Sequence, residues 1–373
     1  MSTSTSPSTV TTSVVATASP PPAPTRPPTS SPAVSASPGE PAPASPTVIA
    51  TAPSSHRIPP PADVTDGGPL RSLVLRALGT HCEVRYAPPS DAVATVFERD
   101  VRAWVERFEA RYSRFRAESI VSRINAAAGS WVEIDAETEQ MLDICASLHA
   151  LTGGILDVTA GSLLRLWNFR TPLPQVPVPA TVAAVRASVG WPKVERDAGR
   201  VRLRAGMALD FGGWGKEWAV DLVAELARQA GVRDALIDFG HDIRVLGTPP
   251  GRPAWHIGLE DPQSPGQHRG SIALPAGRGV ASSGDYIRQF TFAGRRYGHI
   301  VDPRDGYPVA HGLRQVTVIA ENCFMAGVLS TTAFVLGPRA GLEFIQRFPG
   351  AEALLVTEND RAQTRGFWNY VVT

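Results

Sequence analysis

Cysteine is scarce in this chain, net charge is almost nil, and no apolar run reaches the length of a membrane span. Three widely spaced cysteines, Cys82, Cys145 and Cys323, exclude a disulfide framework or a zinc knuckle and predict small buried hydrophobes. Lys plus Arg number 36 against 35 Asp plus Glu, a formal charge of +1, so charge recommends neither nucleic acid nor an acidic membrane as a partner. Any anion site must therefore be local. The N-terminal stretch lacks an apolar core of signal-peptide length and a basic n-region, and no cysteine precedes Cys82. A cytoplasmic location is expected from the sequence as written, and an exported one if the start is mis-assigned.

Charge and bulky apolar side chains are also missing from the N-terminal part. Of 34 prolines, 17 fall before residue 70, and between Met1 and Ser55 only Arg26 and Glu40 are charged. Burial cannot offset the ordering entropy of such a Pro/Ser/Thr/Ala-rich segment, so residues 1–69 are expected to be a disordered tail and residues 70–373 to form the folded domain.

Within that domain, residues 73–86 alternate as a first strand with Gly79 and Thr80 in its middle. From Asp91, apolar Phe97, Val101, Trp104, Phe108 and Tyr112 recur at helical spacing. A second helix is expected from Asp135, as cap, to Gly153, burying Met141, Leu142, Cys145 and Leu148. Residues 170–179 form a proline-rich excursion. Val201, Leu203, Met207 and Leu209 alternate as a strand that feeds a glycine bend and then a helix closed by Gly231. The strand at 235–239 then suggests a βαβ-like unit. Further strands are expected at 255–259, 271–274 and 314–320, helices at 323–336 and 338–348, and a closing hairpin from 354–357 and 366–372. Mixed elements without strict alternation predict an α+β fold.

Residues 210–221, Asp-Phe-Gly-Gly-Trp-Gly-Lys-Glu-Trp-Ala-Val-Asp, organise the rest. Gly212, Gly213 and Gly215 let backbone approach a ligand, the following helix N-terminus favours an anion, and Lys216 can join them. This is not a Walker A loop, because Asp210 replaces its first glycine and Glu217 its Ser or Thr. A plain glycine-rich turn with a solvated lysine is an equal reading of the stretch alone. Downstream, His299 precedes Asp302 by three residues, with Pro303 and Gly306 forcing a turn. Such a pair can make a general base at neutral pH, or serve only as a surface or capping pair.

Together with these two segments, Leu-Ile-Asp-Phe-Gly-His-Asp (236–242), Ser-Gly-Asp-Tyr (283–286) and Leu-Ser-Thr-Thr-Ala-Phe-Val-Leu-Gly (329–337) resemble, in order, the motifs of the ApbE family of FAD:protein FMN transferases. The likeness extends upstream through Gly79-Thr80, Ser113-Arg114-Phe115, Ser119, Asn125, Thr-Gly-Gly-Ile-Leu-Asp (152–157) and Trp167. It implies an ApbE-like, T-fold-related mixed sheet with packed helices. It also implies magnesium-dependent attack on the FAD pyrophosphate, with FMN passed to a Thr or Ser of an acceptor protein and AMP released.

By family position, Lys216 and the amides of Gly212 and Gly213 would hold phosphate, His299 would be the base and Asp302 would orient it. Phe115 would pack on the flavin, with Ile155, Leu156, Asp157, Asp210, Gly240, Ser283, Gly284 and Ile300 lining the FAD site. The metal would sit at Gly213, Thr331 and position 327.

Three departures bear on this. The family's metal-binding aspartate is Gly327 here, leaving Asp302, Asp242 and Glu321 as candidate substitutes. Restoring an aspartate there is expected to raise activity. The family's second glycine after the short strand is His241, expected to face solvent, and Ala-Lys-Gly is Gly215-Lys216-Glu217, with Glu217 expected as a surface acid favoured by the helix dipole. Besides the transferase, an FAD pyrophosphatase in the same fold and a non-catalytic flavin-binding member stay open.

Overall fold

A computed structural model of the chain describes residues 70–169 and 175–372. The expected tail, and residues 170–174 of the proline-rich excursion, lie outside the described residues.

Eight strands make the main sheet: β1 (Arg71–Ala77), β2 (Thr80–Ala87), β3 (Asp234–Phe239), β4 (Asp242–Leu246), β5 (Gly279–Gly284), β6 (Leu313–Ala320), β7 (Glu352–Thr357) and β8 (Arg361–Gln363). Their spatial order is their chain order, and each neighbouring pair is antiparallel. Six helices are inserted between β2 and β3: α1 (Asp91–Tyr112), α2 (Ile120–Ala126), α3 (Ala136–Leu151), α4 (Gly161–Trp167), α5 (Pro179–Arg186) and α6 (Gly215–Gln229). Between β6 and β7 come α7 (Cys323–Leu336) and α8 (Pro338–Ile345). This is the α+β arrangement expected from the unalternated pattern.

Strand pleating sends alternate side chains to opposite faces, and here both faces are covered. Ala235, Ile237 and Phe239 of β3 join a core with the apolar stripes of α1 and α6. Leu236, between them, packs instead with Val245, Trp255, Ile257 and Ile272, where Trp255–Glu260, His268–Leu274 and Val371–Val372 form a three-stranded sheet. On β5 to β7 the helical cover is α7 and α8, whose Leu329, Phe334 and Phe344 meet Ala281, Val316 and Leu355. Burial on both sides explains why all eight residues of β6 are buried.

The expected helix stripes and caps hold. Phe97, Val101, Phe108 and Tyr112 are buried on α1, Asp135 accepts from the Thr138 N–H at the head of α3, and Gly231 follows α6 at φ +76°. All three cysteines are free and buried.

Four expectations fail for identifiable reasons. The single strand at 73–86 is a hairpin, because Leu78 and Gly79 both adopt positive φ (53° and 72°) in a two-residue turn. The strand at 201–209 forms a ladder over Arg200–Arg202 alone, in a small sheet with Trp131–Glu133 and Glu195–Asp197, and beyond it Ala208 makes a single parallel bridge to Ala160. No βαβ unit forms, since β3 pairs antiparallel with β2 and the strand before α6 belongs to that other sheet. The partner of β7 is β8, and Val371–Val372 pairs with His268–Leu274. Polar residues hid α2, which Ser119 caps by accepting from the Ser122 N–H at 3.0 Å.

Candidate active site

The glycine bend is a short 3-10 turn, Phe211–Gly213, running into α6. Gly212 and Gly213 are exposed, and a β-carbon on Gly213 would meet nothing within 4 Å, so open backbone faces outward here. No side chain caps α6, which leaves its first N–H groups for another acceptor. The approach to the bend is pinned by Asn125, whose Nδ2 donates to the Leu209 carbonyl (2.9 Å) and whose Oδ1 accepts from the Leu209 N–H (2.6 Å).

Asp210 is turned inward: Oδ1 accepts from the Gly212 N–H at 2.8 Å and Oδ2 lies 2.8 Å from Arg114 Nε. The Arg114 guanidinium stands 4.4 Å from the Phe115 ring centre, and that ring is 61% exposed, an aromatic face at the surface beside the bend. The Asp210 N–H donates to the Val158 carbonyl at 2.8 Å, which ties the 152–161 loop to the same place. In that loop Ile155 and Leu156 are buried. The Asp157 carboxylate accepts from Thr159 N–H (2.8 Å), Thr159 Oγ1 (2.6 Å) and Trp191 N–H (2.9 Å), so it braces the loop.

Lys216 donates to the Phe239 carbonyl at 3.0 Å and to the Asp242 carboxylate. The other oxygen of Asp242 accepts from the Ser282 N–H at 3.4 Å. One residue along, Ser283 Oγ shares hydrogen bonds with Thr331 Oγ1 (2.8 Å) and Ser330 Oγ (3.0 Å) on α7. Two glycines permit these close approaches. At Gly240 (φ +62°) a β-carbon would lie 2.3 Å from Thr80 Oγ1, and at Gly284 one would lie 2.7 Å from the Arg314 carbonyl. His241 is exposed, as expected, at φ +71°.

His299 is held neutral: burial first, and the nearby Arg288 charge second, push its pKa from 6.5 to about 4. Its Nδ1 is buried without a hydrogen-bond partner among the described residues. The expected orientation by Asp302 is not what the structure has. Both Asp302 oxygens are taken by Arg304, with Nε at 2.9 Å from Oδ1 and Nη2 at 2.8 Å from Oδ2, because the turn through Gly306 folds that guanidinium back. Trp167 Nε1 anchors the turn by donating to the Gly306 carbonyl at 2.8 Å. Ile300 packs on the core cluster that holds Ala281 and Leu329, carrying the His299 segment onto β5 and α7.

Glu217 is not a surface acid. It is nine-tenths buried, and its Oε2 has no hydrogen-bond partner among the described residues. A β-carbon on Gly327 would lie 2.6 Å from Glu217 Cγ. Of the substitutes expected for the missing aspartate, Asp302 is clamped by Arg304, Asp242 by Lys216, and Glu321 is exposed. Among the described residues no three His, Cys, Asp or Glu side chains group to hold a metal ion, and no helix is long and apolar enough to cross a membrane.

The bend, Phe115, the 152–161 loop, Lys216, Ser283 and Thr331 are thus linked through hydrogen bonds and ion pairs. Arg114 and Arg304 are participants that sequence reasoning left out, and Glu217 is one that it placed at the surface. Arg114 lay inside a noted motif, and Glu217 was visible as a departure at the position after Lys216.

The ApbE family model matches residues 78–355. An FAD:protein FMN transferase of Haemophilus influenzae is 31% identical over 302 residues, covering 77% of this chain and 87% of its own. The crystal structure of the ApbE protein from Thermotoga maritima superposes with a TM-score of 0.75 at 30% identity, over 82% of this chain and 100% of that one. The apo form of the Pseudomonas stutzeri flavinyl transferase ApbE gives 0.71 at 29% identity, over 81% and 96%.

Proposed function

The chain belongs to the ApbE family, and on that premise we propose that it is an FAD:protein FMN transferase, passing FMN from FAD to a threonine or serine hydroxyl of an acceptor protein. One observation carries the reading. Lys216 heads an uncapped helix with its ammonium fixed by Asp242 and the Phe239 carbonyl, next to the hydroxyl pair of Ser283 and Thr331. A cation, free N–H groups and hydroxyls held without slack suit a pyrophosphate, since phosphoryl transfer is mostly positioning and charge neutralisation.

Each residue then has a task. Lys216 and the amides at Gly212 and Gly213 take phosphate oxygens, while exposed Phe115 offers a ring for flavin stacking beside Arg114. Asp157 and Asp210 keep the two neighbouring loops in shape through their own hydrogen bonds, and Ile155, Leu156, Gly240, Gly284 and Ile300 set the walls. His299 is unprotonated at neutral pH and takes the proton from the acceptor hydroxyl. That oxygen bonds to the FMN phosphorus, the phosphoanhydride bond breaks, and AMP leaves.

The residues present fit a divalent cation. Glu217 Oε2 is a buried carboxylate oxygen with no partner, and Thr331 Oγ1 is turned to Ser283 on the neighbouring strand. Thr331, the open backbone at Gly213 and a carboxylate reaching the space beside Gly327 would hold magnesium, which when bound supplies charge neutralisation at the pyrophosphate.

The test is incubation of the full chain with FAD, Mg2+ and a flavin-acceptor protein, with in-gel flavin fluorescence and AMP release read together. Labelled acceptor with matching AMP is the expected result. AMP without label identifies a pyrophosphatase, and tight FAD binding with neither product identifies a binding protein.

A further inference from the structure

Helices α6 and α7 pack antiparallel over one turn, and two contacts fix their register. The Asp221 carboxylate of α6 accepts from the Cys323 N–H (3.1 Å) and the Phe324 N–H (2.8 Å) at the head of α7. Four residues back on α6 stands Glu217, and four residues on along α7 stands Gly327. From Gly327 a β-carbon would point into Glu217, 2.6 Å from Cγ, 3.1 Å from Cδ and 3.3 Å from Cβ. The stem of Glu217 therefore fills the volume that a side chain at 327 would occupy, and glycine is what lets it enter.

We infer that Glu217 supplies the carboxylate of this chain's metal site, delivered from α6 into the space from which an acid at 327 would act. This rests on the reading of a divalent-cation-dependent flavin transferase. Four facts besides shape support it. Glu217 is nine-tenths buried with Oε2 unpartnered among the described residues, a costly state for a carboxylate unless a cation completes it. The adjacent cation does not do so: Lys216 donates to Asp242 and the Phe239 carbonyl and makes no hydrogen bond to Glu217 Oε2. Thr331 lies one helical turn beyond Gly327 and so on the same face of α7, with its Oγ1 bonded to Ser283. The other carboxylates nearby are spent, Asp242 on Lys216 and Asp221 on the α7 amides.

The two departures at 217 and 327 are then one exchange. A carboxylate has moved from one helix to the facing one, and a glycine has moved the other way. The longer glutamate side chain spans the extra distance between backbones, and the anionic oxygen count that magnesium prefers is kept.

Mn2+ serves as the probe, its free signal followed by electron paramagnetic resonance in titrations of the full chain with FAD present. Glu217→Gln keeps the shape and removes the charge. It is expected to weaken Mn2+ binding by more than the about 10–100-fold that loss of an outer-shell partner costs, with FAD binding in the absence of metal unchanged. The exchange variant Glu217→Gly with Gly327→Asp is expected to recover most of that loss, and Glu217→Gly alone is not. Wild-type Mn2+ affinity in Glu217→Gln overturns the proposal, as does a wild-type chain that takes up no Mn2+. AMP release by the wild type with Mg2+, measured in parallel, tests the transferase reading separately. Thermal unfolding of each variant without metal shows that a lost site is not a lost fold.

Discussion

Glu217 and Gly327 occupy one space between α6 and α7: the glutamate Cγ lies 2.6 Å from where a β-carbon on the glycine would stand. The sequence expectation that an aspartate at 327 raises activity is thereby reversed. Gly327→Asp in an otherwise unchanged chain forces Glu217 aside and sets two carboxylates together. It should destabilise the protein by about 1–3 kcal/mol and lower activity, as measured by urea denaturation and AMP release.

Lys216→Met should affect chemistry and stability together. It removes the cation from the head of α6 and leaves Asp242, itself buried, without its counter-charge. A loss of about 3–5 kcal/mol is expected for half of a largely buried pair, with kcat/KM for FAD down by about 100-fold. Adding Asp242→Asn should recover stability and leave the rate low, which separates the two effects.

His299 sets a pH signature. Its pKa in the fold is about 4 against an ordinary 6.5, so the unfolded chain takes up the proton first as pH falls. Stability from this group is complete above the unfolded value and is lost as pH drops through the folded one. Denaturation midpoints at pH 7 and pH 5 should differ less in His299→Asn than in the wild type. The acid limb of kcat/KM should fall near pH 4, and His299→Asn should lower the rate by about 100- to 10,000-fold.

Asp302→Asn probes the Arg304 clamp. If the carboxylate's work is to hold the turn through Gly306, the substitution lowers Tm and leaves the acid limb of the pH–rate profile in place. A limb that moves further toward acid, because an anion that steadied the imidazolium is gone, with Tm unchanged, would restore Asp302 as the orienter of His299.

Asn125 braces the bend from outside the chemistry. Asn125→Ala strands the N–H and carbonyl of fully buried Leu209, at a cost of about 2–4 kcal/mol. Denaturation should report that loss, and KM for FAD should rise more than kcat falls.

Much of this protein follows from residue order alone. The stripe of α1, the Asp135 cap, the extent of α7 and the class of the fold are local matters, because 3.6-residue periodicity and capping hydrogen bonds act within a few positions. Segments carrying bend, lysine and histidine were legible for the same reason, as short motifs with distinctive glycines. What residue order could not decide is which partner each charged group finds. Arg304 captures Asp302 because a turn folds it back, Asp157 is spent on Thr159 of its own loop and on the distant Trp191 N–H, and Glu217 goes inward because Gly327, 110 positions away in the chain, leaves room on the facing helix. A carboxylate's fate depends on desolvation and on the nearest cation or N–H, and both are set by the packing of elements remote in sequence.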